Sequence, residues 1–171
     1  MEEKKKNKKK NYIKEFLPYV IIILVVILVK AFIVSPIRVN GVSMNPTLHN
    51  GDIMLLDEIS YRFQNIKRFD IVVVHYEDEY LIKRVIGLPG EEIRYEDDKL
   101  YINDQYIEED FTHKKTGGFS NITLGDNEYF VMGDNRSNST DSRIIGPIKE
   151  NQIIGKTSLT IFPFSRFGNK E

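Results

Sequence analysis

No cysteine occurs in the 171-residue chain, so it forms no disulfide, works through no thiolate and holds no cysteine-bound zinc. Histidine is scarce. His49, His75 and His113 stand at no metal-ligand spacing such as H-E-x-x-H and read as surface or loop residues. No metal and no cofactor is therefore expected. There is no internal repeat, and the one low-complexity stretch is a lysine-rich start. Beyond Pro36 no helical period of useful length recurs, apart from a short turn near "EISYRF".

Positive charge is short over most of the chain. Residues 1–35 hold eight lysines and three glutamates, a net +5, whereas residues 36–171 hold 16 Lys+Arg and 22 Asp+Glu, a net −6. A domain of that balance without a basic stripe argues against nucleic acid as a partner.

What is there begins with "LPYVIIILVVILVKAFIV", residues 17–34, uncharged except for Lys30. Eighteen residues of helix span about 27 Å, near the roughly 30 Å hydrocarbon core of a bilayer. Pro18 falls in the first turn, where it costs little, and Lys30 is near enough the far end to snorkel. Seven lysines precede the run, which predicts a cytoplasmic N-terminus by the positive-inside rule. The competing reading is a cleaved secretory signal peptide. Its apolar core is shorter and a small-x-small site follows it, whereas here the run ends in "FIVSPIRV". The expected organisation is a basic cytoplasmic tail (1–16), a single-pass anchor in the lipid bilayer of the cell membrane (17–34) and an extracytoplasmic domain (36–171).

That domain reads as β-rich. The segments 70–76, 79–87, 92–103, 128–133 and 156–164 are dense in β-branched and aromatic residues, and "YEDDK" looks like a hairpin turn. The expected fold is a single, mainly β domain of coiled antiparallel, barrel-like sheets.

Candidate chemistry starts at "GVSMNPTLHNGD", residues 41–52. Glycine, asparagine and proline punctuate it, which puts Ser43 at an exposed strand end or turn. A serine hydroxyl needs a base to become a nucleophile. His49 is the nearest histidine in sequence, but nothing nearby would orient its ring. Lys83 is the stronger candidate. In the strand "YLIKRVIG" it shares a face with Leu81 and Val85, while Arg84 points the other way with Ile82 and Ile86. Desolvation among aliphatic side chains lowers a lysine pKa, and a neutral amine is a competent base. From the strand alone, a strand-edge lysine snorkelling to water fits as well. A third stretch, "MGDNRSNSTDSR" at 132–143, reads either as a polar surface loop or as a hydrogen-bonded platform. As a platform, Ser139 would reach the lysine amine while Asp141 and Arg143 pair to hold it rigid.

At these stretches the chain resembles the type I signal peptidases, membrane-anchored serine proteases with a Ser/Lys dyad. "GVSMNPTL" matches their nucleophile box, "RFDIVVV" their R-G-D-I-V-V box with Phe69 in place of glycine, "KRVIGLPGE" their lysine box, and "GDNRSNSTDSR" their G-D-N-R-x-x-S-x-D-S-R. The motifs fall in the family's order. The resemblance implies Ser43 as nucleophile, Lys83 as general base, Ser139 as the serine that hydrogen-bonds the lysine, and Asp141–Arg143 as the supporting ion pair. Where some members carry a serine two residues before the nucleophile, this chain has Gly41, as in Gram-positive-type enzymes. The oxyanion hole would then rest on backbone N–H groups. The implied activity is removal of N-terminal signal peptides from exported preproteins. Their cleavage region would bind as an added strand in a groove near Val39, Val42, Met44, Leu81 and Ile82. Two rival readings are a self-cleaving repressor-type Ser/Lys protease and a membrane-anchored β domain that binds partners without catalysis. The anchor and the acidic domain speak against the first, the intact dyad and support loop against the second.

Overall fold

The computed structural model describes residues 14–26, 35–112 and 115–170. The chain divides into two compact units between Val34 and Ser35. In the first, residues 14–26 form a helix, α1, whose side chains are exposed. The remainder of the predicted anchor, 27–34, and most of the basic tail lie outside the described residues. Among the described residues no helix is long and apolar enough to cross a membrane.

The second unit is mainly β and antiparallel. It opens with β1 (Ser35–Arg38), β2 (Ile53–Asp57), β3 (Ile71–Tyr76) and β4 (Glu79–Gly87). Next come β5 (Glu92–Glu96), β6 (Lys99–Ile102), β7 (Gln105–Ile107) and β8 (Phe119–Thr123). It closes with β9 (Glu128–Met132), a one-turn helix α2 (Ser142–Ile145), β10 (Ile148–Lys149), β11 (Ile153–Phe162) and β12 (Gly168–Asn169). The larger sheet runs β1-β2-β11-β3-β4-β9-β10, with β12 beside β11, and the smaller runs β7-β6-β5-β8. Among the described residues the strands of the larger sheet follow an open path.

The predicted strands at 70–76, 79–87, 92–103, 128–133 and 156–164 all form, with shifted ends. The expected turn in "YEDDK" joins β5 to β6, with Asp97 and Asp98 at φ +50° and +60°. These are the left-handed values that a two-residue hairpin turn with the right twist requires. Strands β1, β2, β7, β8 and the two-residue β10 and β12 were not expected. β1 carries Pro36 and lies at the end of the sheet, where a missing N–H breaks no ladder. In β2, "IMLLD", Met and Leu replace the branched residues that mark strands.

Three apolar clusters form the core. Ile86, Phe130 and Met132 of the large sheet pack on Ile93, Tyr95, Leu100 and Ile102 of the small one. Val72, Val74, Val85, Val131 and Ile148 fill one face of the β3–β4–β9–β10 segment. Val39, Met44 and Leu48 of the loop between β1 and β2 pack on Met54 and Ile71 beneath it. The β3–β4 hairpin sets the decisive register. Val72 pairs with Lys83 and Val74 with Leu81, while Ile71 pairs with Arg84. Alternation then sends Lys83 and Arg84 to opposite faces, as expected.

Candidate active site

Ser43 sits in the turn-rich loop between β1 and β2. The base of the loop is closed by Val39 N–H donating to Asp52 O and Gly51 N–H to Val39 O, both at 2.8 Å. Val39 before the serine and Met44 and Leu48 after it peg the loop into the core, so the backbone on either side of the hydroxyl is held by apolar packing. Gly41 adopts φ +97°, which a residue with a Cβ adopts only under strain. Asn45 N–H donates to Val42 O at 3.1 Å. Among the described residues the Ser43 N–H meets no acceptor. Below the loop, the buried Asp52 carboxylate accepts His49 N–H and the Arg166 guanidinium. Burial opposes its ionisation, but these donors and the arginine charge prevail and hold its pKa below the usual carboxylate value.

Lys83 reaches this loop from β4. It is 3% exposed, and its Nζ donates to Ser43 Oγ at 2.9 Å and to Ile82 O at 3.1 Å. Burial drives its pKa down to about 8, against the upward pull of the Asp141 and Asp134 charges. Roughly a tenth of the molecules then carry a neutral Lys83 amine at pH 7, against fewer than about one in a thousand for a free lysine. In the neutral form the same contact runs in reverse, with the Ser43 hydroxyl donating to the amine lone pair.

The 133–143 loop braces the serine turn. Asn135 N–H donates to Ser43 O at 2.9 Å, and Asn135 Nδ2 to Val42 O at 3.1 Å. Gly133 lies so close that a Cβ there would stand 2.3 Å from Ser139 Oγ and 2.5 Å from Ser43 O. Only glycine lets the loop approach this closely. The Asp141–Arg143 pair forms as expected, with Arg143 Nε and Nη2 each 2.8 Å from a carboxylate oxygen. Asp141 also accepts Gly133 N–H at 3.0 Å and caps α2. Burial works against the Asp141 charge, yet the Arg143, Gly133 and Ser139 groups outweigh it and lower the pKa. The expected hydrogen bond from Ser139 to Lys83 is not formed. Ser139 Oγ is buried close to the Asp141 carboxyl and makes no well-formed hydrogen bond among the described residues.

An open groove of about 1270 Å³ runs past the pair. Val39, Gly41, Val42, Met44, Leu81 and Ile82 line it together with Ser43 and Lys83. Val39 and Met44 are nearly covered, while Val42 is exposed. Ser139, Asp141 and Arg143 stand behind the site and do not line the groove. His49 bonds neither partner through its ring, and its Nδ1 is buried without an acceptor or donor. His75 is exposed and packs on Tyr80; His113 lies outside the described residues. No metal-holding cluster of His, Asp or Glu occurs among the described residues.

Sequence reasoning assigned no part to Arg84 and Asp134. Both are fully buried, and Arg84 Nε and Nη2 each bond an Asp134 oxygen at 2.9 Å. Asp134 also accepts Thr47 Oγ1 at 2.6 Å, which ties the 133–143 loop to the serine loop. The signal was present: an arginine inside an apolar strand demands a buried carboxylate. Asp134 is the acid of the same loop box.

The sequence profile of the family described as signal peptidase, peptidase S26, matches residues 9–162. A Bacillus subtilis protein named signal peptidase I V is 44% identical over 148 residues, covering 76% of this chain and 87% of that one. A Staphylococcus aureus signal peptidase IB is 38% identical over 161 residues, 81% of this chain and 83% of that one. A crystal structure of a signal peptidase I from Enterococcus faecalis superposes with a TM-score of 0.51 at 33% identity, over 54% of this chain and 97% of that one. With the family profile matched over residues 9–162 and a relative 44% identical over most of both chains, the chain belongs to the signal peptidase family, peptidase S26.

Proposed function

We propose that Ser43 is the nucleophile and Lys83 the general base of a serine endopeptidase that removes signal peptides from exported preproteins. The observation that carries the reading is the 2.9 Å contact between Ser43 Oγ and a buried Lys83 Nζ whose pKa is lowered to about 8. The neutral amine takes the hydroxyl proton as Ser43 Oγ attacks the scissile carbonyl. The amine, now an ammonium, gives that proton to the leaving nitrogen, and an acyl-enzyme remains on Ser43. Lys83 then activates water for deacylation. The unoccupied Ser43 N–H is the backbone donor for the developing oxyanion, since Gly41 has no hydroxyl to offer. The substrate's small-x-small segment lies in the groove between the 39–44 stretch and Leu81–Ile82, where shallow walls admit small side chains.

The same reading places the enzyme on a membrane. The apolar run 17–34 is the single anchor, the basic residues before it stay in the cytoplasm, and the β unit works outside. Support comes from the charge asymmetry and from the exposed apolar side chains of α1. Only eight residues separate the run from Ser43. They reach at most about 29 Å, so a signal peptide held in the same bilayer presents its cleavage site at high effective concentration.

A serine-directed acylating inhibitor followed by peptide mapping tests the assignment. Label should fall on the peptide containing Ser43. Ser43→Ala and Lys83→Met should each abolish processing of a preprotein while the chain still folds, and His49→Ala should stay close to wild type. Near-normal processing by Lys83→Met together with loss in His49→Ala would reverse the choice of base.

A further inference from the structure

The segment after β7 reads Glu108-Glu109-Asp110-Phe111-Thr112, and it alternates. Glu108 and Asp110 are exposed, while Glu109, Phe111 and Thr112 are half-buried. Each inward residue touches the supports of the catalytic loop. Glu109 receives the buried Arg136 guanidinium, Nη2 to Oε1 at 2.5 Å, and is closed from behind by Tyr95 Oη donating at 2.6 Å. The Phe111 ring covers the Arg84 guanidinium, with Cζ 4.1 Å from the ring centroid. Thr112 Oγ1 donates to Asp134 O at 2.9 Å.

Neither the Arg84 nor the Arg136 side chain hydrogen-bonds Ser43 or Lys83; both act on the serine turn through the 133–143 loop, and Arg84 also adjoins Lys83 on β4. Arg84 fixes the Asp134 carboxylate, Asp134 holds Thr47, and the next residue, Asn135, grips Ser43 O. Arg136 Nε donates to Gly133 O at 3.1 Å, and Gly133 is the residue wedged against Ser43 O and Ser139. The second wall of the Arg84 pocket is Phe69, which stands where the family's box usually has glycine. It holds φ +70°, accepts Arg84 Nη1 on its carbonyl at 3.0 Å, and sets its ring edge-on to Phe111 at 5.1 Å. A phenylalanine in the left-handed region is strained. Its ring contact with Phe111, the arginine on its carbonyl and its own N–H donating to Val85 O at 2.8 Å accompany that conformation.

We propose that residues 108–112 act as a positioning strap, in which Glu109, Phe111 and Thr112 clamp Arg136, Arg84 and Asp134 and so set the placement of Ser43 against Lys83. The inference rests on the reading of Ser43 and Lys83 given above. The physical reason is water exclusion. A bidentate Arg–carboxylate pair keeps one geometry only while water cannot compete for its donors. Truncating Phe111 opens the Arg84 guanidinium to solvent and frees Asp134 to shift, and misplacement of a nucleophile by a fraction of an ångström costs turnover more than binding.

The test uses the solubilised full-length chain and a peptide spanning a small-x-small cleavage segment. Phe111→Ala should lower kcat by about tenfold, with KM within about twofold. Thr112→Val removes one hydroxyl, is the milder probe should Phe111→Ala fold poorly, and should lower kcat about threefold. Phe111→Tyr, which restores an aromatic face, should recover most of the loss, whereas Glu108→Gln and Asp110→Asn should match wild type. Ile66→Ala, in the cluster of Val72 and Ile148 and outside the one on which Phe69 and Phe111 pack, supplies a destabilised control. It should lower Tm and leave kcat near wild type when assayed below melting. With Ser43→Ala inactive, wild-type kcat in Phe111→Ala and Thr112→Val overturns the strap alone. Activity in Ser43→Ala overturns the dyad and the strap with it.

Discussion

Lys83 and Arg84 are neighbours on β4, both buried, and they meet opposite electrostatic fates. Arg84 faces Asp134 and is paired through two 2.9 Å bonds. Lys83 faces Ser43 with no carboxylate in contact, so burial prevails over the more distant Asp141 and Asp134 charges. A guanidinium in its place would stay protonated. An amine can lose its proton there, and the paired arginine next door anchors the strand at the position where the amine must be aimed.

The first prediction is a pH profile. If Lys83 must be neutral to act, kcat/KM rises with pH along a limb centred near pH 8, the pKa to which burial lowers it. Val85, fully buried on the same face, helps exclude water. Val85→Ser should move the limb to higher pH with a smaller change on the alkaline plateau. A limb that stays in place would show that the aliphatic face does not set the lysine's proton affinity.

The second concerns stability. Below about pH 8 the folded and unfolded chains both hold the Lys83 proton, and the folded state bears the whole cost of burying the charge. Between about pH 8 and 10.5 the unfolded chain binds more protons, so stability climbs with pH. Lys83→Met removes a penalty on the order of 3 kcal/mol at pH 7, offset by about 1 kcal/mol for the lost hydrogen bond. The inactive variant should therefore melt higher than wild type at pH 7, and the gap should shrink toward pH 10. Calorimetry across that range checks it, and a lower melting point at pH 7 would contradict it.

Gly133→Ala is the third. A Cβ would meet the Ser43 backbone oxygen at 2.5 Å and Ser139 Oγ at 2.3 Å, and the backbone oxygen cannot swing aside. The variant should lose on the order of 1–3 kcal/mol of stability, the usual cost of overpacking, and most of its activity. Wild-type turnover in Gly133→Ala would mean that the loop and the serine turn are less tightly coupled than their contact implies.

Topology supplies the fourth. Protease added outside spheroplasts should degrade the 35–171 unit and leave the lysine-rich tail protected. Protection of the β unit would reverse the orientation and remove exported preproteins as substrates.

Much of this was legible in the sequence because it is local. The run at 71–76 and the alternation of Leu81, Lys83 and Val85 are properties of one strand, and the β3–β4 register preserves them. The Asp141–Arg143 pair is two residues apart and closes within its own loop. β8, "FSNIT", escaped because its polar side chains face outward on a small sheet. Arg84 was placed on the correct face but left without a role, since its partner is 50 residues away.

By itself the sequence determined which residue types stand at Ser43, Lys83 and the 133–143 loop, and on which side of β4 the lysine lies. Backbone periodicity carries that much. Only the tertiary structure decided that Lys83 Nζ meets Ser43 Oγ across 40 residues of chain. It also decided that the aliphatic face is dry enough to lower the lysine's pKa, and that Ser139 Oγ lies by the Asp141 carboxyl without a hydrogen bond to the amine. Solvation and charge pairing depend on what the fold packs opposite a side chain, and a strand's own pattern says which way the side chain points without saying what will face it.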